Sequence, residues 1–196
     1  DRQIPADFSS ATFFLAAGAL QDNDVLSRGL DLHDTQGDKA VLDYLRAMGA
    51  EVRDTPDGIR VAGKLLQGAE LDLNATPDAL PMLAVLGCFA RGTTRLVNVP
   101  QARLKETDRI AVMAAELTKL GAKIREQADG LVVEESALQP GHVDGHGDHR
   151  VVMSLAIGAT MLPGTTTIEG YEAVNVTYPG FVEALRALGA TARVIP

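Results

Sequence analysis

The chain has 196 residues, 46% hydrophobic and 22% charged, with a formal net charge of -8. That is enough apolar material for one large or two small cores, and the acidic balance argues against a nucleic-acid surface. No apolar run reaches the length of a membrane-spanning helix, and no basic segment followed by an apolar one opens the chain as a secretory leader would.

The chain opens at Asp1 and Arg2 without a Met and stops at Ile195 and Pro196 without a tail, which suggests a domain cut from a longer protein. It then repeats itself, and repeats have to be settled before the fold. From the start, SATFFLAAGAL is apolar on all sides and reads as a helix buried all round. A strand follows over 25–30, then a polar loop, then an amphipathic helix in which Val41, Leu42, Leu45 and Met48 keep the 3.6 period. Gly49 ends that helix as a left-handed cap, and EVRDTPDGIRVAG closes the unit as a hairpin.

The second unit gives the same succession: PMLAVLGCFA, a strand over 94–99, a helix on Ile110, Met113, Leu117 and Leu120, the cap Gly121, and the hairpin KIREQADGLVVEE. Cys88, the one cysteine, sits in the first of these runs and reads as a small buried apolar residue; without a partner for a disulfide it points to a reducing, cytoplasmic compartment. The third unit has VVMSLAIGATM, a strand over 165–169, EALRALGATA with Gly189, and one strand over 191–195 with no hairpin partner. The capping glycines are 72 and 68 residues apart. We therefore expect an α/β fold of three strand-helix-strand-helix-strand-strand repeats, about 1–64, 65–136 and 137–196, with the three apolar helices pooled in a shared interior. Such a pseudo-threefold arrangement brings the loops around Asp7, Asp78 and Asp148 to one pole with QARLKETDR and NVTYPG.

In the second unit, VPQARLKETDRI (99–110) places Arg103, Lys105 and Arg109 within seven residues, with Glu106 and Asp108 interleaved. If the helix begins near Lys105, then Lys105 and Arg109 share one side of its first turn, where unpaired backbone N–H groups also point outward to an anion. The same residues also describe a solvated helix start, with Glu106 and Asp108 complementing the dipole and pairing with the cations. His142, Asp144, His146, Asp148 and His149 in GHVDGHGDHR offer metal-ligand chemistry, but their spacing matches no closed site, and no metal is assigned.

KETDR (105–109), TPDA (76–79), GDHR (147–150) and the opening DFSSATFFLAAGA resemble the C-terminal globe of the EPSP synthase family, the 3-phosphoshikimate 1-carboxyvinyltransferases of the shikimate pathway that glyphosate inhibits. The resemblance covers the whole chain in order. It implies an inside-out α/β barrel, one of two globes of a monomeric enzyme, with an N-terminal segment returning to complete this globe. It also implies enolpyruvyl transfer from phosphoenolpyruvate to the 5-hydroxyl of shikimate 3-phosphate, with no cofactor.

Carried onto matching positions, the family makes Asp78 the acceptor of the hydroxyl proton; without the motif, Asp78 reads first as capping or complementing a helix start at Pro77. Glu106 becomes the proton-transfer group beside C3, Lys105 contacts shikimate 3-phosphate, Gln101 is a substrate-binding residue, and His149 lines the substrate pocket. Arg109 and Arg150 hold the phosphoenolpyruvate carboxylate, a task suited to planar guanidiniums. Gln101 stands where several relatives have Asn, and a phosphoenolpyruvate-binding lysine of some relatives aligns with Val176. The sister transferase acting on UDP-N-acetylglucosamine is disfavoured by KETDR; a repeat-built module that only binds anions is the reading from a different class.

Overall fold

The computed structural model describes residues 4–195. Its middle portion carries the full expected pattern. Strand β4 (Glu70–Asp72) leads through a 3-10 turn at Pro77–Ala79 into α3 (Leu80–Phe89); β5 (Thr93–Val97) leads through a second such turn at Pro100–Leu104 into α4 (Arg109–Lys119); the hairpin β6 (Lys123–Gln127) and β7 (Gly130–Glu134) closes it. These strands form one sheet in the order β4-β5-β7-β6, parallel between β4 and β5 and antiparallel elsewhere. The parallel pair requires a crossover, which α3 supplies.

The first portion comprises α1 (Phe8–Ala19), β1 (Asp24–Ser27), α2 (Val41–Ala47), β2 (Glu51–Thr55) and β3 (Gly58–Ala62), with an antiparallel sheet in the order β1-β3-β2. The last comprises β8 (His142–Asp144), α5 (His149–Ala159), β9 (Thr167–Glu169), α6 (Val174–Thr177) and α7 (Phe181–Ala187), with β8 and β9 parallel. The strand expected over 191–195 is absent. Val194 and Ile195 are exposed, while Ala192 packs against the core and its carbonyl accepts a hydrogen bond from Arg186 Nε. The corresponding segments β2 and β6 each lie against a hairpin partner, and strand propensity without a ladder to join does not make a strand.

Helices α1, α3 and α5 form the shared interior and pack on one another. Every residue of α3 from Leu80 to Cys88 is buried, so no amphipathic stripe exists to read. Burial pushes the Cys88 thiol up to about 12, and the residue behaves as an apolar one. The outer helices are amphipathic as their periodicity requires: Ile110, Met113 and Leu117 of α4 and Val41, Leu42 and Leu45 of α2 face inward. Gly49, Gly121 and Gly189 follow α2, α4 and α7 at φ +90°, +93° and +98°, the left-handed turn that a side chain resists. The first and last portions join through rings: Phe13 and Phe14 of α1 meet Phe181, and Phe14 and Phe181 meet Tyr178, with centroids 5.6 to 6.4 Å apart. Among the described residues no helix is long and apolar enough to cross a membrane.

Candidate active site

The N-terminal ends of four helices converge. Asp7 caps α1 through the Ser9 and Ser10 N–H groups, Asp148 caps α5 through those of Arg150 and Val151, and Asp108 caps α4 through that of Ala111. Asp78 precedes α3 but makes no capping bond. Its carboxylate turns instead to three cations: Oδ1 lies 2.7 Å from Arg109 Nη1 and 3.1 Å from Lys105 Nζ, and Oδ2 lies 3.4 Å from Arg150 Nη2.

Arg109 is the centre of the cluster and is fully buried. Its Nε donates to Asp148 Oδ2 at 2.7 Å, Nη2 to Glu106 Oε2 at 2.6 Å and to Asp148 Oδ1 at 3.3 Å, and Nη1 to Asp78. One planar fork thus joins three carboxylates from three loops, which a point ammonium has no geometry to do. Arg150 Nη2 donates to Ser9 Oγ at 2.7 Å, which brings the α1 start into the same group. His149 Nδ1 lies 3.8 Å from Glu106 Oε1, and burial, reinforced by the Arg150 charge, pushes the His149 pKa down.

Helix α4 does not start at Lys105. Pro100–Leu104 is a 3-10 turn, Lys105 is extended, and Asp108 holds the cap, so Arg109 is the first helical residue. Lys105 and Arg109 are therefore not neighbours on a helix face and meet through Asp78. Arg103 leaves the cluster altogether: it bonds Asp108, Glu126 and the Gln127 and Ala128 carbonyls, tying the turn to the β6–β7 hairpin. Gln101 also lies apart, its Nε2 donating to the Asn74 carbonyl at 2.7 Å. Val176 is 85% exposed on α6 and adds no charge. The three histidines of the 142–149 stretch go to three different carboxylates, His142 to Glu169, His146 to Glu116 and His149 to Glu106.

Sequence reasoning undervalued Asp148. Sequence placed it only in a loop expected at the pole; the fold reveals that its buried carboxylate both caps α5 and orients Arg109. Asp38, in the 3-10 turn before α2, escaped notice as well. Burial pushes its pKa up, against the pull of Arg150 and with the help of the Asp78 and Asp7 charges. Such a group lowers stability as pH rises through its unfolded pKa toward its folded one. Asp38→Asn is thus expected to raise the denaturant midpoint at pH 7 and to have no effect at pH 3, where the carboxyl is protonated in both states. An unchanged midpoint at both values would mean the charge is relieved by solvent.

The sequence model of EPSP synthase (3-phosphoshikimate 1-carboxyvinyltransferase) matches residues 1–185. The chain belongs to the EPSP synthase family. The chain is 56% identical to the 3-phosphoshikimate 1-carboxyvinyltransferase of Ruminiclostridium cellulolyticum over 98% of its own length and 46% of that protein. It is 47% identical to that of Halobacterium salinarum over 95% of its length and 45% of that protein. Among solved structures, EPSP synthase from Acinetobacter baumannii superposes with a TM-score of 0.90 at 29% identity, covering 99% of this chain and 48% of that one. The enolpyruvyl transferase NikO from Streptomyces tendae shares the fold, with a TM-score of 0.75 at 23% identity over 98% of this chain and 45% of that one. The chain spans about half the length of the curated relatives it matches.

Proposed function

We propose that the full-length protein is a two-globe, monomeric, cytoplasmic enzyme that transfers the enolpyruvyl group of phosphoenolpyruvate to the 5-hydroxyl of shikimate 3-phosphate, releasing phosphate. The observation that carries this reading is Asp78 held between Lys105, Arg109 and Arg150 in a chain of the EPSP synthase family. The hydroxyl oxygen attacks C2 while C3 gains a proton; the tetrahedral intermediate then loses phosphate and a C3 proton to restore the double bond. A base for the hydroxyl, a proton carrier beside C3 and cations for the anions are needed.

Asp78 is the base and Glu106 the carrier beside C3. Burial raises the Asp78 pKa, but the charges of Arg150, Arg109 and Lys105 and the Lys105 hydrogen bond outweigh it, so the carboxyl sits below its usual range and is ionised at neutral pH. Arg109 already serves three carboxylates, so a ligand carboxylate reaches it by taking the place of Glu106 or Asp78. That exchange frees the displaced catalytic group from the guanidinium just when the substrate arrives. Arg150 receives the same carboxylate, Lys105 the shikimate 3-phosphate, and His149 lines the pocket; Gln101 reaches shikimate 3-phosphate once its bond to Asn74 is released.

Asp78, Glu106, Asp148 and the neighbouring Asp7 and Asp38 outnumber the cations Lys105, Arg109 and Arg150. Two polyanionic substrates therefore require further cations, which the other globe supplies. The full-length protein is expected to release phosphate from the substrate pair, and the 196-residue chain alone is expected to release none, because each missing charge-assisted hydrogen bond removes about 1.5 to 3 kcal/mol. Adding the remaining half as a separate protein restores activity only at high concentration, since tethering supplies an effective concentration on the order of millimolar. A colorimetric phosphate assay checks all three; turnover by the chain alone would place the whole catalytic set within it.

A further inference from the structure

The elements that carry the two arginines are tied together a second time, away from the carboxylate cluster. Glu116 lies on α4 two turns beyond Arg109, and its side chain is 2% exposed. Its Oε2 accepts the Asp144 N–H at 2.9 Å, its Oε1 lies 2.8 Å from His146 Nε2, and Lys119 Nζ donates to both oxygens. Burial opposes ionisation of this carboxyl, and the hydrogen bonds from His146, Lys119 and Asp144 outweigh it, holding the pKa below the usual glutamate value. Asp144 and His146 belong to the turn between β8 and α5, which ends at the cap Asp148.

That turn is tightly specified. His146 and Gly147 are both left-handed, at φ +51° and +72°, and a non-glycine residue stays there only where its surroundings hold it. The His146 N–H donates to Asp144 Oδ1 at 2.7 Å and that of Asp148 to the Gly145 carbonyl at 2.9 Å. A Cβ on Gly145 would collide with Val152 of α5, so the turn is pressed directly on the helix it starts. We propose that Glu116 is a positioning residue for the anion-binding arginines: by clamping Asp144 and His146 to α4, it fixes the turn that aims Asp148 at Arg109 and starts α5 at His149 and Arg150. The inference rests on reading Arg109 and Arg150 as the carboxylate-binding pair.

The test uses the full-length protein. Glu116→Gln keeps the volume but replaces one acceptor oxygen with a donor. It is expected to raise the KM for phosphoenolpyruvate about 10 to 100-fold, the scale of loss produced by a displacement of an ångström, with a smaller change in kcat and none in the KM for shikimate 3-phosphate. His146→Ala, at a half-exposed position that the core does not depend on, is expected to move the same KM in the same direction, and His146→Gln, which retains a donor toward Glu116, to recover most of it. Amide hydrogen exchange at Arg150 and Val151 is expected to quicken in Glu116→Gln whether or not the protein turns over. A wild-type KM for phosphoenolpyruvate in both Glu116→Gln and His146→Ala, or a fall in kcat with both KM values unchanged, overturns the proposal. Absence of phosphate release by the wild type would count against the functional reading instead; exchange then decides the clamp, and unaltered rates at those two amides overturn it.

Discussion

Arg109→Ala is expected to destabilise the protein by about 3–5 kcal/mol, the range for removing one partner of a buried ion pair. The reason lies less in the arginine than in what it leaves behind. Asp148 has no exposed surface, and without Arg109 its carboxylate keeps only the N–H groups of Arg150 and Val151 and a long contact from Thr107 Oγ1 at 3.4 Å. Asp78 and Glu106 would also face Asp148 without the charge that now separates them. For a chain of this size, 1 kcal/mol moves Tm by about 2–4 °C, so the loss is readily seen by thermal or urea unfolding. Arg109→Lys keeps the charge but engages one carboxylate rather than three, so an intermediate loss is expected together with weaker phosphoenolpyruvate binding. The double variant Arg109→Met with Asp148→Asn is expected to recover part of the stability, because an amide tolerates the site without a counter-charge. A loss below about 1 kcal/mol for Arg109→Ala would show that water or a rearranged Lys105 solvates Asp148, contrary to its burial.

The buried helices, the outer helices and the capping glycines were legible in the sequence because each follows from local chemistry. Uniform apolarity marks α3, a 3.6 period marks α4, and a glycine after the last apolar position marks the left-handed turn at Gly121. Two local expectations failed, each through competition. Lys105 was a plausible first helical residue, yet the Pro100 turn upstream and the stronger cap at Asp108 move the start four residues on. Residues 191–195 have strand composition, yet a strand is a pairing, and among the described residues no strand pairs with them. The family motifs located Asp78, Glu106, Lys105, Arg109, His149 and Arg150, and all six meet at one pole, but no spacing rule announces that Arg109 is buried among three carboxylates or that Glu116 braces the opposite turn. Those are tertiary facts, set by which loops the threefold packing brings together.

Asp78→Ala is expected to lower turnover about 100 to 10,000-fold, the usual contribution of a positioned general base. Its effect on binding has the opposite sign from that of losing a ligand-holding residue. Asp78 now neutralises Lys105, Arg109 and Arg150, and its removal leaves these cations more available to substrate anions, so the KM for phosphoenolpyruvate is expected to hold or fall while kcat collapses. The pH profiles give a second check. The base must be ionised, so activity falls as pH drops through its pKa; in the free enzyme Arg150, Arg109 and Lys105 hold that pKa low against burial. Once substrate anions take up those cations, the hold on Asp78 relaxes and its pKa rises. The acid limb of kcat, which reports the substrate complex, is therefore expected at a higher pH than the acid limb of kcat/KM, which reports the free enzyme. Full turnover in Asp78→Asn, or acid limbs that coincide in the two profiles, would move the base role to Glu106, the other carboxylate that a bound substrate would displace from Arg109.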